Sequence, residues 1–515
     1  MKSVHRKYSR ILNSVLLALI PVTVCLLRAV AAHDSLKNVW FCGSNWQDEL
    51  FYYQLTADVV KHGVPQGFFG FNESTATYLS FSAWSPFLLI FWVIYGLIFG
   101  WGIMSPIVCN IVIMTIALFL FAYLADLNFG QTLCAGLLLF VLTPISRFLL
   151  SCMAEISVCA VLIVFLGITV AMYSEYRKSY LVWSLILLFF MTLMRPYLVM
   201  FALFTFLILI KHKKQWWLPV LTGGISLIAY LLENKYFAPE YFDAYFRTDW
   251  ITTFFDKGIG AGFSNIAQIL KSMGSQIMAL IWPGLRYGKD GIAAYYGVYF
   301  AMMLLFVALS LNAVLRRKKT MLLVLSMTVM YIGMFLAILL MYKVDEGYRH
   351  LLLFIVAGLF ILVADSKDAV RNTGVILALL LFTWVFVYKA KSNYFYHVSF
   401  ADREGIAMIE DIGKQLDANM TLEPGISWDN TVIWVSADYV PDTDEYSETL
   451  WRMMYGLPDG FGLNICSAEY VADNIDELHS KYIATVPGGT VENLIAGRGA
   501  GLVANNEYFV MYRLR

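Results

Sequence analysis

Charge is what this 515-residue chain has least of: Asp, Glu, Lys and Arg make up 14% of it, against 59% hydrophobic and 16% aromatic residues. A soluble domain is usually near a quarter charged, so the shortage excludes an ordinary soluble protein and marks an integral membrane protein. The charge that is present cancels, 37 basic against 37 acidic residues, which excludes a strong nucleic-acid footprint. No Cys-x-x-Cys occurs among the seven cysteines, and Cys25, Cys109, Cys134, Cys152 and Cys159 fall inside apolar runs. That excludes a zinc or disulfide framework and reads them as small core residues. Only Cys42 and Cys466 fall outside the apolar runs, where a bridge between them could form. Internal repeats of the solenoid or transporter type are missing too, as is any low-complexity segment.

What is present is a series of long apolar runs. They cover residues 11–32, 85–100, 104–125, 131–150, 153–173, 180–194, 196–210, 216–234, 292–314, 320–341, 349–364 and 374–390. A span needs roughly 20 such residues, and cytoplasmic loops collect Lys and Arg. The first run follows Lys2, Arg6, Lys7 and Arg10, so it reads as an uncleaved signal anchor with its amino terminus inside. Arg177-Lys178, Lys211-His212-Lys213-Lys214, Arg316-Arg317-Lys318-Lys319 and the Lys367/Arg371 loop should also lie inside. If every run crosses, these later clusters come out on the wrong side. Demoting one early run repairs them all. Residues 85–100 are short, begin Ser85-Pro86 and end Phe99-Gly100-Trp101-Gly102, so they are expected to lie against the outer surface. About eleven spans remain. Arg195-Pro196 should break residues 180–210 into an external hairpin of two short helices.

Three outer segments are long: 33–103, 235–291 and the tail. Residues 235–291 combine an aromatic, acidic part with an apolar helical stretch. The tail, 393–515, is polar and mixed, with strand patterns at 431–435, 481–486 and 508–512 and helical patterns at 402–418, 445–455 and 470–480. This predicts a small C-terminal α/β extracytoplasmic domain after a membrane module of residues 1–392.

Four constellations carry candidate chemistry. Asp48-Glu49 follows the first span in Trp46-Gln47-Asp48-Glu49-Leu50-Phe51-Tyr52, at the expected outer face. Acids in a first helical turn can simply be a cap, with Asn45 or Asp48 opening a helix. The surrounding aromatics instead fit a metal, a proton to remove or a cationic partner. Glu155, between two runs at the same face, is a second acid; it is either paired with Arg147 or part of a shared cation or proton site. Lys343, Arg349 and His350 open the run 349–364, either as snorkelling anchors or as a clamp for an anion. Arg195, flanked by apolar helix, needs a carboxylate or a phosphate. Two acids and several cations, distant in sequence, map to one face. That suits an anionic, membrane-embedded substrate attacked by a deprotonated nucleophile.

In organisation, residues 1–390 resemble the GT-C superfamily of polyprenyl-phosphate-dependent glycosyltransferases, which includes protein O-mannosyltransferases and aminoarabinose transferases. The resemblance rests on Gln47-Asp48-Glu49-Leu50-Phe51-Tyr52, Trp84-Ser85-Pro86-Phe87-Leu88-Leu89, Glu155, Met194-Arg195-Pro196 and Glu346-Gly347-Tyr348-Arg349-His350-Leu351-Leu352. Tyr348 precedes Arg349, the reverse of the commoner order, which leaves open whether Arg349 or His350 meets the donor. The resemblance implies a polytopic α-helical fold with a juxtamembrane helix. It further implies transfer of a sugar, with inversion, from a polyprenyl-phosphate-linked donor to an extracytoplasmic acceptor such as a cell-envelope polymer, lipid or protein. Asp48 would activate the acceptor, Glu49 would orient it and Glu155 would be the second acid. Asp48 and Glu155 would hold a divalent metal ion if one is used. Arg349, His350, Arg195 and Lys343 would receive the phosphate. Rival readings are a transporter or flippase of a lipid-linked sugar and a non-catalytic cell-envelope scaffold. The style of the chain reads as bacterial, with a cytoplasmic amino terminus.

Overall fold

A computed structural model describes residues 2–515 apart from 44–46, 65–69, 74–84, 239–246, 248, 288–290, 317–320, 343, 367–368 and 390–402. Each apolar run has a helix at its core. In the first half these are α1 (Lys2–Ala18), α2 (Ile20–Ala31), α3 (Asp48–His62), α4 (Ile90–Phe99), α5 (Ser105–Leu124), α6 (Phe129–Val141), α7 (Thr143–Leu149) and α8 (Glu155–Ser174). There follow α9 (Lys178–Met194), α10 (Ala202–Lys211), α11 (Trp217–Phe237), α12 (Asp249–Lys257), α13 (Ile259–Tyr287), α14 (Gly291–Leu315), α15 (Met321–Met341), α16 (Val344–Ala364) and α17 (Ala369–Phe382). Among the described residues seven helices are long and apolar enough to cross a membrane, and the bent pair α6–α7 would make an eighth. The remaining expected spans are the shorter apolar helices α9 and Pro196–Lys211, together with α11.

Two of the seven spans are the centre of the bundle. The crossing window of α8 is 94% buried inside the protein and that of α16 89%, against 33% for Arg371–Lys389. Each central helix carries candidate residues near its start: Glu155 opens α8, and Arg349-His350 stand in the second turn of α16. Helix α4 has ten residues, about 15 Å at 1.5 Å each, roughly half a hydrocarbon core. It ends at Gly100, whose φ of +86° a side chain would resist. The demoted run is thus a short helix, tied to the bundle by the buried Trp92, whose indole donates to Asn110 Oδ1 at 2.9 Å.

The break at Arg195 is present. Arg195 is extended (φ −150°, ψ 112°), and Pro196 opens a 3-10 turn over Pro196–Phe201 because the residue before proline is kept out of the helical region. At the other end of these helices, Lys211 Nζ donates to the Tyr173 carbonyl at 2.7 Å, and Arg10 meets the Tyr123 carbonyl and Asp126.

The tail holds a six-stranded sheet, β1 (Gly70–Phe71), β5 (Gly462–Cys466), β2 (Thr431–Val435), β6 (Tyr482–Thr485), β8 (Phe509–Arg513) and β7 (Gly501–Asn506), in that spatial order. The first four run parallel, β8 pairs antiparallel with β6, and β7 pairs antiparallel with β8. Helices α18 (Arg403–Asn419), α19 (Ala468–Asp473) and α20 (Thr490–Ala496) flank it. Alternation along β2 sends Val432 and Trp434 into the core shared with the bundle, and Ile433 and Val435 into a second core beneath α19 and α20. Residues 445–455, expected to be helical, instead form β4 (Glu445–Glu448) and a 3-10 turn, Trp451–Gly456. Asp444, at φ 55°, reverses the chain so that Glu445 pairs back onto Val440 of β3 (Ala437–Val440), closing a hairpin. Cys42 and Cys466 are both buried free thiols, so the bridge open on sequence grounds is not formed.

The edge strand β1 comes from the first long loop. Beside it Asn72 Oδ1 accepts from Ser467 N (3.2 Å), and the buried Glu73 carboxylate accepts from His479 N (2.6 Å) and Ser480 N (2.7 Å). Helix α3 lies between sheet and bundle. Gln54 Nε2 donates to the Met454 carbonyl at 2.9 Å, Phe51 packs on Trp434, and Tyr53 packs on Tyr455.

Candidate active site

Asp48 is the first residue of α3 and Gly63, at φ 78°, ends it, so the acid sits where a helix favours negative charge. Its Oδ2 accepts from Arg349 Nη1 at 2.9 Å, and the two side chains are 38% and 18% exposed. Glu155, first residue of α8, faces Arg195 at 3.5 Å, each side chain 5% exposed. Both Glu155 carboxylate oxygens lack a hydrogen-bond partner. Tyr52, 3% exposed and one helical turn after Asp48, lies in electrostatic range of Arg195, Asp48, Glu155 and Arg349. Burial pushes its phenol well above the ordinary tyrosine value, opposed by the Arg195 charge. Two acids and two guanidiniums from four separate elements thus lie within electrostatic range of one phenol.

Glu49 takes a different place. It is fully buried, and its Oε1 accepts from the Cys152 backbone N–H at 3.0 Å. Asn110, also fully buried, donates through Nδ2 to the carbonyls of Ser151 (2.8 Å) and Phe148 (3.3 Å). Together they pin the turn that delivers Glu155 to the start of α8. Glu49 is therefore the tether between the helix of one acid and the turn before the other.

His350 is buried, its Nδ1 2.9 Å from the Tyr197 hydroxyl, its ring packed against Tyr197 and Tyr342. Arg349, rather than His350, is the partly exposed member of the pair that meets Asp48. Lys343 lies outside the described residues, as do Asn45, Trp46 and Trp84. Glu155 faces Arg195, and Arg147 stands on the preceding helix α7. Sequence reasoning missed Tyr52, Asn110 and Tyr197 as members of the site. The first was legible from its place one turn after Asp48 on the same helical face, the second as a lone amide in an apolar span.

No protein-family model matches the sequence, and no curated protein sequence does. Solved structures do. ArnT from Cupriavidus metallidurans bound to undecaprenyl phosphate superposes with a TM-score of 0.52 at 12% identity, covering 96% of this chain and 98% of that one. The apo state of the same ArnT gives 0.44 at 11% identity, covering 97% of each chain. The Archaeoglobus fulgidus oligosaccharyltransferase in the apo form gives 0.47 at 14% identity, covering 93% of this chain and 69% of that one. The last two scores are too low to argue from. The first is a likeness of fold along nearly both whole chains. The protein is a polytopic helical membrane protein with a C-terminal sheet domain, and its fold is like that of the ArnT structure.

Proposed function

We propose that the protein is a membrane glycosyltransferase that moves a sugar, with inversion, from a polyprenyl-phosphate-linked donor to an extracytoplasmic acceptor. The observation that carries the reading is the convergence of Asp48–Arg349 and Glu155–Arg195 around Tyr52 at one end of the bundle. The fold shared with a protein crystallised with undecaprenyl phosphate supports it. In this reading the membrane module is residues 1–392, the tail 393–515 lies outside a bacterial cell membrane, and the amino terminus is cytoplasmic.

Asp48, the more exposed acid, takes the proton of the acceptor hydroxyl. The acceptor oxygen forms its bond to the sugar's anomeric carbon from the side opposite the phosphate. The bond from that carbon to the phosphate oxygen breaks, and its electron pair leaves with the phosphate. Arg349 and Arg195 are fixed cations for the departing anion, and such groups act most strongly where water is excluded. Glu155 balances Arg195 and the positive charge growing on the sugar ring. Glu49 keeps the two acids in register, and His350 is held by Tyr197 behind Arg349. A divalent ion would have Asp48 and Glu155 as ligands. Each already faces a guanidinium, and no three metal-binding side chains cluster among the described residues, so we assign the cationic role to the arginines.

The test uses the purified protein in nanodiscs with a panel of polyprenyl-phosphate sugars, following release of polyprenyl phosphate with and without a chelator. Asp48→Asn should lower turnover by about 10²–10⁴-fold, the range for a lost general base, with abundance and melting unchanged. Full turnover by this variant would sink the mechanism. Movement of the lipid-linked sugar without a new glycosidic bond would favour the flippase reading. Activity that a chelator abolishes would return the metal to Asp48 and Glu155.

A further inference from the structure

Helix α3 carries Asp48 at its first position, yet much of what encloses it belongs to the tail. Ten consecutive residues, Glu49 to Asp58, are buried. A helix in an outer segment meets water on one side unless something covers it. The bundle side covers one line of the helix: Tyr52, one turn after Asp48, packs 6.2 Å from Trp92 of α4. The tail covers another. Phe51 and Gln54, three positions apart, meet Trp434 of β2 (6.0 Å between ring centres) and the Met454 carbonyl (2.9 Å). Tyr53 is shared. Trp101 Nε1 donates to its carbonyl at 3.2 Å, and its ring lies 5.5 Å from that of Tyr455, which also meets Phe41 edge-on.

The Gln54 bond is the specific contact of this set. Gln54 and Met454 are both buried, so the bond cannot be exchanged for one to water. Ring packing tolerates small slides; a buried directional bond fixes the rotation and height of the helix against the turn Trp451–Gly456. The tail grips the same outer segment a second time at β1, which pairs with β5, and at Glu73, which accepts from His479 N and Ser480 N. The helix that begins with Asp48 is therefore held by residues about four hundred positions further along the chain. A displacement of about 1 Å in a reacting group can cost about 10²-fold in rate.

We propose that the tail positions Asp48, and that Gln54 is a positioning residue acting through α3 on the distance of that acid from Arg349 and from the acceptor. The inference rests on the transferase reading for the role of Asp48. It makes the sheet domain part of the frame of the active site.

The experiment uses the full chain in nanodiscs with a protease site inserted between Lys389 and Arg403. After cutting, the tail should stay with the bundle and the release of polyprenyl phosphate should persist. Gln54→Leu, in the uncut chain, fills the space of the amide and removes the bond. It should speed amide exchange along α3, leave exchange in α8 and α16 unchanged, and lower kcat about tenfold or more while KM for the donor moves less than about twofold. Phe51→Leu loosens the same grip from another residue and should give the same split, which keeps the test valid if the first variant fails to fold. A cut tail that dissociates from wild type would overturn the proposal. So would variants that melt earlier while the folded fraction keeps its kcat, the mark of a merely structural contact. A wild type that releases no polyprenyl phosphate would instead sink the transferase reading, and the cut-chain and exchange results would still decide whether the tail holds α3.

Discussion

The two ends of the helical bundle hold the same chemical motif, a buried arginine beside a carboxylate, and use it differently. At one end Arg371 pairs with Asp365 six positions before it, with side chains 5% and 12% exposed, while Gln131 Nε2 donates to the nearby Val363 carbonyl at 2.9 Å. That pair closes a loop between consecutive helices. At the other end Asp48 and Arg349 lie 301 positions apart, and the acid is 38% exposed. Glu155 and Arg195 meet there across helices α8 and α9, with Arg195 just before the proline break. A local pair stabilises a turn; a long-range, partly open pair costs stability to assemble and leaves charge available to a visitor. Under the proposed function, the difference separates an ion pair that holds a turn from one that serves the site.

That contrast can be broken, and the largest effect is expected at the dry pair. Arg195→Met strands the Glu155 carboxylate, whose side chain is 5% exposed, and should cost about 3–5 kcal/mol, read as a lower melting temperature in nanodiscs. Adding Glu155→Gln should restore much of it; a double variant no more stable than the single one would show that the two are not coupled. Next, Arg349→Gln and Arg371→Gln should split function from fold. The first should reduce turnover by about 10²–10³-fold with little loss of stability, and the second should lower stability while the folded fraction keeps its turnover. Equal losses of turnover would erase the distinction between the ends.

A smaller effect belongs to the tether. Glu49→Gln weakens a charge-assisted bond to Cys152 N–H, expected at about 1.5–3 kcal/mol, and should lower kcat more than it raises KM because Glu155 loses its register. An unchanged kcat would make Glu49 purely structural. The smallest is outside the membrane, in the tail. Partial burial holds the Asp459 carboxyl above the usual aspartate value, with Asp417 adding to the rise and Lys61 opposing it. A carboxyl raised in the fold favours folding when protonated, and that contribution is lost as pH rises through its folded value. Asp459→Asn should therefore flatten the tail's melting-pH profile just above the ordinary aspartate range. A profile identical to wild type would assign the pH dependence elsewhere.

Much of the fold was legible because the bilayer imposes simple rules. A run long enough to span, a proline after Arg195 and a short run ending in Gly100 each have one low-energy outcome in a membrane. The strand pattern at 431–435 was equally direct, since alternating Val432/Trp434 and Ile433/Val435 serve two cores. Two features were not legible. Residues 445–455 became a hairpin because a single residue, Asp444, turns the chain back onto a strand whose position the sequence does not state. The strand β1, two residues long, exists only because Asn464 and Ile465 lie beside Gly70 and Phe71, nearly four hundred positions away.

For the site, the sequence alone determined which residues are expensive at the membrane: Asp48, Glu49, Glu155, Arg195, Arg349 and His350. Parity of spans then assigned them to a common face, because charge and length are properties of segments. Only the tertiary structure decided who meets whom. Arg349 turned to Asp48, Arg195 to Glu155, His350 to Tyr197, and Glu49 to a backbone N–H. Those choices depend on packing angles and on side chains a few ångströms apart, which no single segment encodes.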